Sequence, residues 1–380
     1  VPLERVVGRD RVGRLMTHLV HRSKGTGQSS RPPIQDRYTP SQMDFNFFLS
    51  SYYPDPSYGG KRLFADMVAE AKLAERLGFN SVSIPEHHLI NVLLNPAPLQ
   101  LAVKVACETE SLDIVTSVVV LPLHDMRVLA GEVAMADILT DGRLVLGVGR
   151  GAFGYEMARL GTPMEHSRAK FDESLDVLLR LLTEYEVEHH GHWYDFDPIT
   201  IMPRPLTEPR PRMMIATMNY EGIRNSTLRG FNIQTTPLSG DPDLFRMQVD
   251  AHKEAKAEMG KAGEDLRIML SRIAYCASDE ADAREKLEMA YEYYARFDNV
   301  FTGPGVVKDG CIAALPRQQT IEELDANIMV CTSKQMIEKI AEYDEREIDE
   351  LILSSHLGQS AGETSEMMER FATEVMPAFQ

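Results

Sequence analysis

The stretch "LDIVTSVVVLPLHDMRVLAGEVAMADILTDGRLVLGVGRG", residues 112–151, sets two β-branched apolar runs on either side of a segment with helical spacing. The first run, 112–122, is continuous rather than alternating, as expected of a strand covered on both faces. "VLAGEVAMADILTDG" then reads as a helix ending in an Asp-Gly turn, and "RLVLGVGRG" returns to strand character. A strand, a helix and another strand in that order predict a parallel α/β fold, because parallel neighbours need a long crossover.

The alternation continues in both directions. Upstream, "MDFNFFLS" (43–50) reads as a first strand and "NSVSIPE" (80–86) as a second. Between them Leu63, Met67, Ala71, Ala74 and Leu77 recur at helical spacing until Gly78 stops the helix. Downstream, "RMMIATM", "FNIQTTP", "LRIMLSRIAYCA" and "IDELILSS" supply the fifth to eighth strands. Eight such units predict a (β/α)8 TIM barrel with insertions, the longest between strands 7 and 8, roughly 298–346. No G-x-G-x-x-G follows the first strand, which argues against a doubly wound dinucleotide fold. The insertion opens with "DNVFTGPGVVKDG", long and glycine-rich, and is a candidate lid.

Composition narrows the function. The chain has 380 residues, 43% of them hydrophobic, and a net charge of −17, which argues against nucleic acid as a partner. Its apolar runs fall well short of the ~20 residues that a membrane span needs. Cys107, Cys276, Cys311 and Cys331 are scattered without C-x-x-C pairing, which fits a reducing cytoplasm better than a disulfide framework. Residues 1–42 carry eight Arg and Lys against three acids and no sustained periodicity. They are expected to form a mobile N-terminal extension before a domain over 43–380, with Met43 a candidate natural start.

In a parallel barrel, reactive groups gather where strands end, because the βα loops of one face surround a common mouth. Glu86, His87 and His88 in "IPEHHLINVLLNP" would sit there, as would Ser117 to Pro122, Gly149 to Gly151, and Thr217 to Tyr220. "TDGR" (140–143) would enter strand four from the opposite face, giving Asp141 and Arg143 a structural role. An imidazole suits general acid–base work near neutral pH, and Glu86 could orient it. Metal ligation and a hydrogen-bonded loop histidine remain alternatives. Adjacent histidines on a strand end diverge, which disfavours a shared ion. Arg150 between two glycines, together with a helix opening at "TMNYEG", describes an anion site suited to a phosphate. "EHHGHWYDF" (188–196) lies in a connecting excursion and reads as a structural hairpin.

Three stretches, "GFNSVSIPEHHLINVLLNP", "TSVVVLPLHDMRVLAGEVAMADILTDGRLVLGVGRGAFGYEMARLGTP" and "HWYDFDPITIMPRPLTEPRPRMMIATMNYEG", resemble the bacterial luciferase-like flavin-dependent monooxygenases, nearest the catalytic alpha type. The resemblance implies a TIM barrel that uses reduced FMN as co-substrate with O2 to oxygenate a small organic molecule through a C4a-peroxyflavin. It also implies a separate flavin reductase and a homodimer. Residue by residue, His87 matches the catalytic imidazole and Glu86 and His88 its neighbours. Ser117 and Val118 fall where the family places a non-prolyl cis peptide under the flavin ring. Glu132 corresponds to a polar residue near the flavin, Arg150 to the phosphate arginine, and Met218, Asn219 and Tyr220 to a second phosphate-contacting segment. The reactive cysteine of the light-emitting members is absent, since Gly149 precedes Arg150, which favours a general monooxygenase over a luciferase. A deazaflavin-dependent oxidoreductase, a non-catalytic flavin-binding subunit of a heterodimer and a metal-dependent hydrolase are the competing readings.

Overall fold

The computed structural model describes residues 43–240 and 242–379; the expected mobile extension over 1–42 lies outside the described residues. Eight parallel strands close a ring: β1 (Asp44–Phe48), β2 (Ser81–Ile84), β3 (Asp113–Thr116), β4 (Leu144–Gly149), β5 (Arg212–Ala216), β6 (Asn232–Thr235), β7 (Ile268–Ala277) and β8 (Glu350–Ser354). Each pairs in parallel with the next, and β8 returns to β1 through Asp44 opposite Glu350 and Phe47 opposite Leu353. The expected TIM barrel is therefore the fold.

The strand pleat explains two separate apolar regions. Phe48, Val115, Val145, Met214, Met269 and Ile352 form a small cluster of their own. The alternate faces of the strands join the helices in a much larger core that includes Phe45, Ile114, Leu146 and Leu351. A barrel strand is thus buried on both faces, which is why 112–122 shows no alternation.

That run is not one strand. It breaks after Thr116 at a cis peptide between Ser117 and Val118, and only Val119–Val120 rejoins β4, opposite Val148 and Gly149. Strand β4 also runs very close to its neighbour. A Cβ on Gly147 would lie 1.9 Å from the Thr116 carbonyl oxygen, and the Thr116 hydroxyl bonds the Gly147 amide and carbonyl at 2.9 Å each.

Between β7 and β8 the chain is an ordered excursion, not a bare loop. The long helix Glu280–Phe301 is followed by a small hairpin (Val307–Lys308 with Cys311–Ile312), the helix Ile321–Asn327, the strand Met329–Thr332 along the far half of β7, and the helix Ser333–Asp344. Both shorter helices begin in capping boxes, at Thr320 with Glu323 and at Thr332 with Gln335. The glycine-rich opening is pinned by buried Asn299, whose side chain bonds Val306 through both its carbonyl and amide and also reaches Ala313 O. A further bond, Ile312 N to Asn91 Oδ1 at 2.9 Å, ties the hairpin to the loop after β2.

Candidate active site

A cavity of about 600 Å³ opens at the C-terminal ends of the strands, within the range of small-molecule sites. Glu86, His87, Ser117, Val118, Arg150, Met218 and Asn219 all line it. The barrel rule therefore gathers most of the expected residues, although they come from four different βα loops.

His87 is held from a direction that its neighbours in sequence do not supply. Its Nδ1 lies 2.8 Å from Glu156 Oε1, and the other oxygen of Glu156 accepts the His88 amide at 2.7 Å. Phe153 stacks on the imidazole with centroids 4.3 Å apart. A buried carboxylate on Nδ1 favours the N–H there and leaves Nε2 as the free basic nitrogen. Glu156, which the sequence reading overlooked, is only 1% exposed.

Glu86 does not contact His87. Its Oε1 accepts from His88 Nε2 and His124 Nε2, both at 2.8 Å, and its Oε2 accepts from the Val120 amide at 2.7 Å. Burial alone would push this carboxyl up; the hydrogen bonds from His124, His88 and Val120 outweigh it and hold Glu86 below the usual carboxylate range. The Glu86 hydrogen bond in turn raises His88. The expectation that Glu86 orients the cavity imidazole is thus corrected: it clamps His88 and His124 to the segment following the cis peptide. Nor does His88 line the cavity, because its ring is turned to Glu86.

The cis peptide itself is flanked by a polar contact, Ser117 Oγ to Gln234 Oε1 at 2.8 Å. Gly149 and Gly151 serve the fold more directly than a ligand. A Cβ on Gly149 would meet Val118 Cγ2 at 2.7 Å, whereas Gly151 has φ +85° and would press on Met157 Sδ at 2.5 Å.

Arg150 and Arg168 both line the cavity, and among the described residues neither has an ion-pair partner. Arg150 is solvent-accessible at the mouth, yet partial desolvation and then the Arg168 charge hold its guanidinium below its ordinary value. A bound anion would relieve both effects. The helix Tyr220–Leu228 begins nearby, but its cap Asn219 already accepts the Gly222 amide at 2.8 Å.

Two further expectations fail on geometry. Tyr220 is absent from the cavity wall and gives its hydroxyl to Glu254. Glu132 is exposed on the helix Met126–Leu139, away from the cavity. Spacing aligns a residue to a helix without saying which helix face meets the barrel. The histidine-rich hairpin Val187–His190 with Asp195–Ile199 is organised by Glu173, which accepts from His189 and from the amides of His192, Trp193 and Tyr194. Among the described residues, no three His, Cys, Asp or Glu side chains converge as a metal-ligand set.

The closed barrel sets an imidazole and two guanidines, without ion-pair partners among the described residues, around one mouth. Residues 43–350 match the family described as luciferase-like monooxygenase, and the chain belongs to that family. The oxygenase component of flavin-dependent trigonelline monooxygenase from Acinetobacter baylyi is 28% identical over 89% of this chain and 96% of its own. The oxygenating constituent of 3,6-diketocamphane monooxygenase from Pseudomonas putida, a type II Baeyer–Villiger enzyme solved with FMN, has a TM-score of 0.70 at 17% identity, covering 90% of this chain and 99% of its own. An F420-dependent secondary alcohol dehydrogenase superposes with a TM-score of 0.71 at 18% identity, covering 89% and 99%.

Proposed function

We propose that this chain is the oxygenase component of a two-component monooxygenase that takes reduced FMN from a separate reductase and uses O2 to oxygenate a small organic substrate. The observation that carries the reading is the cavity shared by His87, oriented by Glu156, and by Arg150 and Arg168, which have no ion-pair partner among the described residues. The relative named an oxygenase component supports the separate reductase.

The residues present fit a phosphorylated flavin. Two guanidines without an ion-pair partner among the described residues suit a phosphate dianion, and Ser117, Val118 and Gln234 line the same cavity. Arg150, Arg168 and Asn219 would hold the phosphate end. Reduced flavin, when bound, supplies the two electrons that activate O2. His87 Nε2 would take or give a proton at the reacting oxygen, with Glu156 fixing the tautomer. Phe153 and the aromatic side chains of the helix Glu280–Phe301 would exclude water, which is the function we assign to the excursion between β7 and β8.

A homodimer is supported by the helix Met126–Leu139, where Val128, Met135 and Leu139 are 60%, 52% and 51% exposed on one face with Glu132 among them. A cytoplasmic setting is supported by four free cysteines. No described helix is long and apolar enough to cross a membrane.

Anaerobic titration with reduced FMN and with reduced F420, followed by rapid mixing with O2, tests the assignment. Expected are preferential binding of FMN and a reoxidation course that the protein alters and His87→Ala changes. Preference for F420 with no response to O2 would replace this reading by a deazaflavin-dependent oxidoreductase.

A further inference from the structure

The helix Glu280–Phe301 presents an aromatic face to the cavity. Tyr293, Phe297 and Phe301 recur every fourth residue with Tyr294 beside them, and all four line the cavity. Phe297 sits 6.0 Å from Tyr293, 5.9 Å from Tyr294 and 5.4 Å from Phe301, centroid to centroid. Phe153 meets Phe297 edge-on at 5.5 Å and stacks on His87. One aromatic wall therefore runs from the His87 imidazole to two phenols.

Those phenols are deeply buried. Tyr293 is 3% exposed and Tyr294 2%, and neither hydroxyl has a hydrogen-bond partner among the described residues. Both residues line the cavity, so a hydroxyl left without a partner in the chain is open to a ligand there. Burial raises both phenols well above their ordinary value, so they remain protonated donors. Arg317, whose guanidinium lies 4.9 Å from the Tyr294 ring centroid, fixes that ring in place.

Resting on the reading of this cavity as the oxygenation site, we propose that Tyr293 and Tyr294 are specificity-determining residues whose hydroxyls donate hydrogen bonds to an acceptor oxygen on a cyclic, mostly apolar substrate. The flat wall of Phe153, Phe297 and Phe301 selects the ring body. The two O–H groups read a carbonyl or hydroxyl oxygen and orient the ring towards His87. A substrate of the same shape without that oxygen leaves both donors unmet, and a site built around a hydrogen bond discriminates strongly against such an analogue.

The test uses the full chain with saturating oxidised FMN and two probes of nearly equal shape, 1-indanone and indane, with binding followed by ligand-observed NMR. Neither reduced flavin nor O2 enters the measurement, so its outcome is separate from that of the oxygenase reading. The wild type should bind the ketone at least tenfold more tightly than the hydrocarbon. Tyr293→Phe combined with Tyr294→Phe should bring the ketone to the hydrocarbon's affinity while indane binding stays within twofold. Equal affinities in the wild type, no binding of either probe, or discrimination that survives the double substitution would overturn the proposal. Loss of both probes in the double variant would also overturn it, by showing that the hydroxyls serve packing.

Discussion

The two ends of this barrel handle charge in opposite ways. At the N-terminal end of the strands, Arg212 forks onto both oxygens of Asp113 at 2.6 and 2.8 Å, and Arg267 reaches Asp44 at 2.5 Å and the Asp349 carbonyl at 2.9 Å. Buried Arg143 donates to the carbonyls of Thr140, Leu112, Ala106 and Thr109. At the C-terminal end, Arg150 and Arg168 line the cavity and, among the described residues, neither they nor the hydroxyls of Tyr293 and Tyr294 have a partner within the chain. Charges satisfied within the chain hold the chain together; those left unsatisfied are available to a ligand.

Substitutions at the two ends should therefore separate stability from function. The largest effect is expected for His87→Ala, which should lower kcat by about 10²–10⁴-fold with FMN binding and melting temperature nearly unchanged. Glu156→Gln should cost less, roughly 10–100-fold in kcat, with a displaced pH–rate profile, since it perturbs the imidazole without removing it. An unmoved profile in Glu156→Gln would show that the carboxylate merely packs.

Arg150→Ala should weaken FMN by about 1.5–3 kcal/mol, the value of a charge-assisted hydrogen bond, which is roughly a 10–100-fold rise in Kd by fluorescence titration. At the other end, Arg212→Ala should remove about 1–3 kcal/mol of stability in urea denaturation, less than a fully buried pair because both partners are partly exposed, while leaving FMN affinity alone. If Arg212→Ala weakened FMN as much as Arg150→Ala, the contrast between the two ends would collapse.

The smallest effect concerns the Glu86 clamp. Glu86 is held below its ordinary 4.5, so its contribution is full above that value and fades as pH falls through the lowered one. His88 is raised above 6.5, so its contribution is full below 6.5 and fades as pH climbs through the raised value. The difference in melting temperature between wild type and His88→Gln should thus be greatest between pH 4.5 and 6.5 and shrink on either side. A difference flat across that range would remove the ion pair from the account.

The fold is legible in the sequence because the barrel repeats one local pattern. Each strand is marked by apolar content, each helix by spacing, and residues 112–151 show both. The strand reading erred at 112–122, where the run is mostly apolar but the strand ends at Thr116 and only Val119–Val120 pairs again. The excursion between β7 and β8 shows in its length but not in its order, since the capping boxes at Thr320 and Thr332 are short local signals within a segment taken as a loop.

The site is legible in part. His87, Arg150 and the 117–118 step stand at strand ends, where position alone points to the mouth. Glu156 lies six residues beyond Arg150, on the short helix Gly154–Arg159 that follows the same strand, and its pairing with His87 spans a separation of 69. The aromatic face of Tyr293, Phe297 and Phe301 is visible as a period of four, but nothing local tells which wall it forms.

By itself, the sequence determined the barrel, the end of it that carries chemistry, and the residue types available there, because these depend on local periodicity and on which side of a strand a loop lies. Only the tertiary structure decided that Glu156 rather than Glu86 holds His87, that Tyr220 and Glu132 face away from the cavity, and that Arg168 joins Arg150. Hydrogen-bond partners are chosen by distance in space and by helix rotation, and a linear order of residues fixes neither.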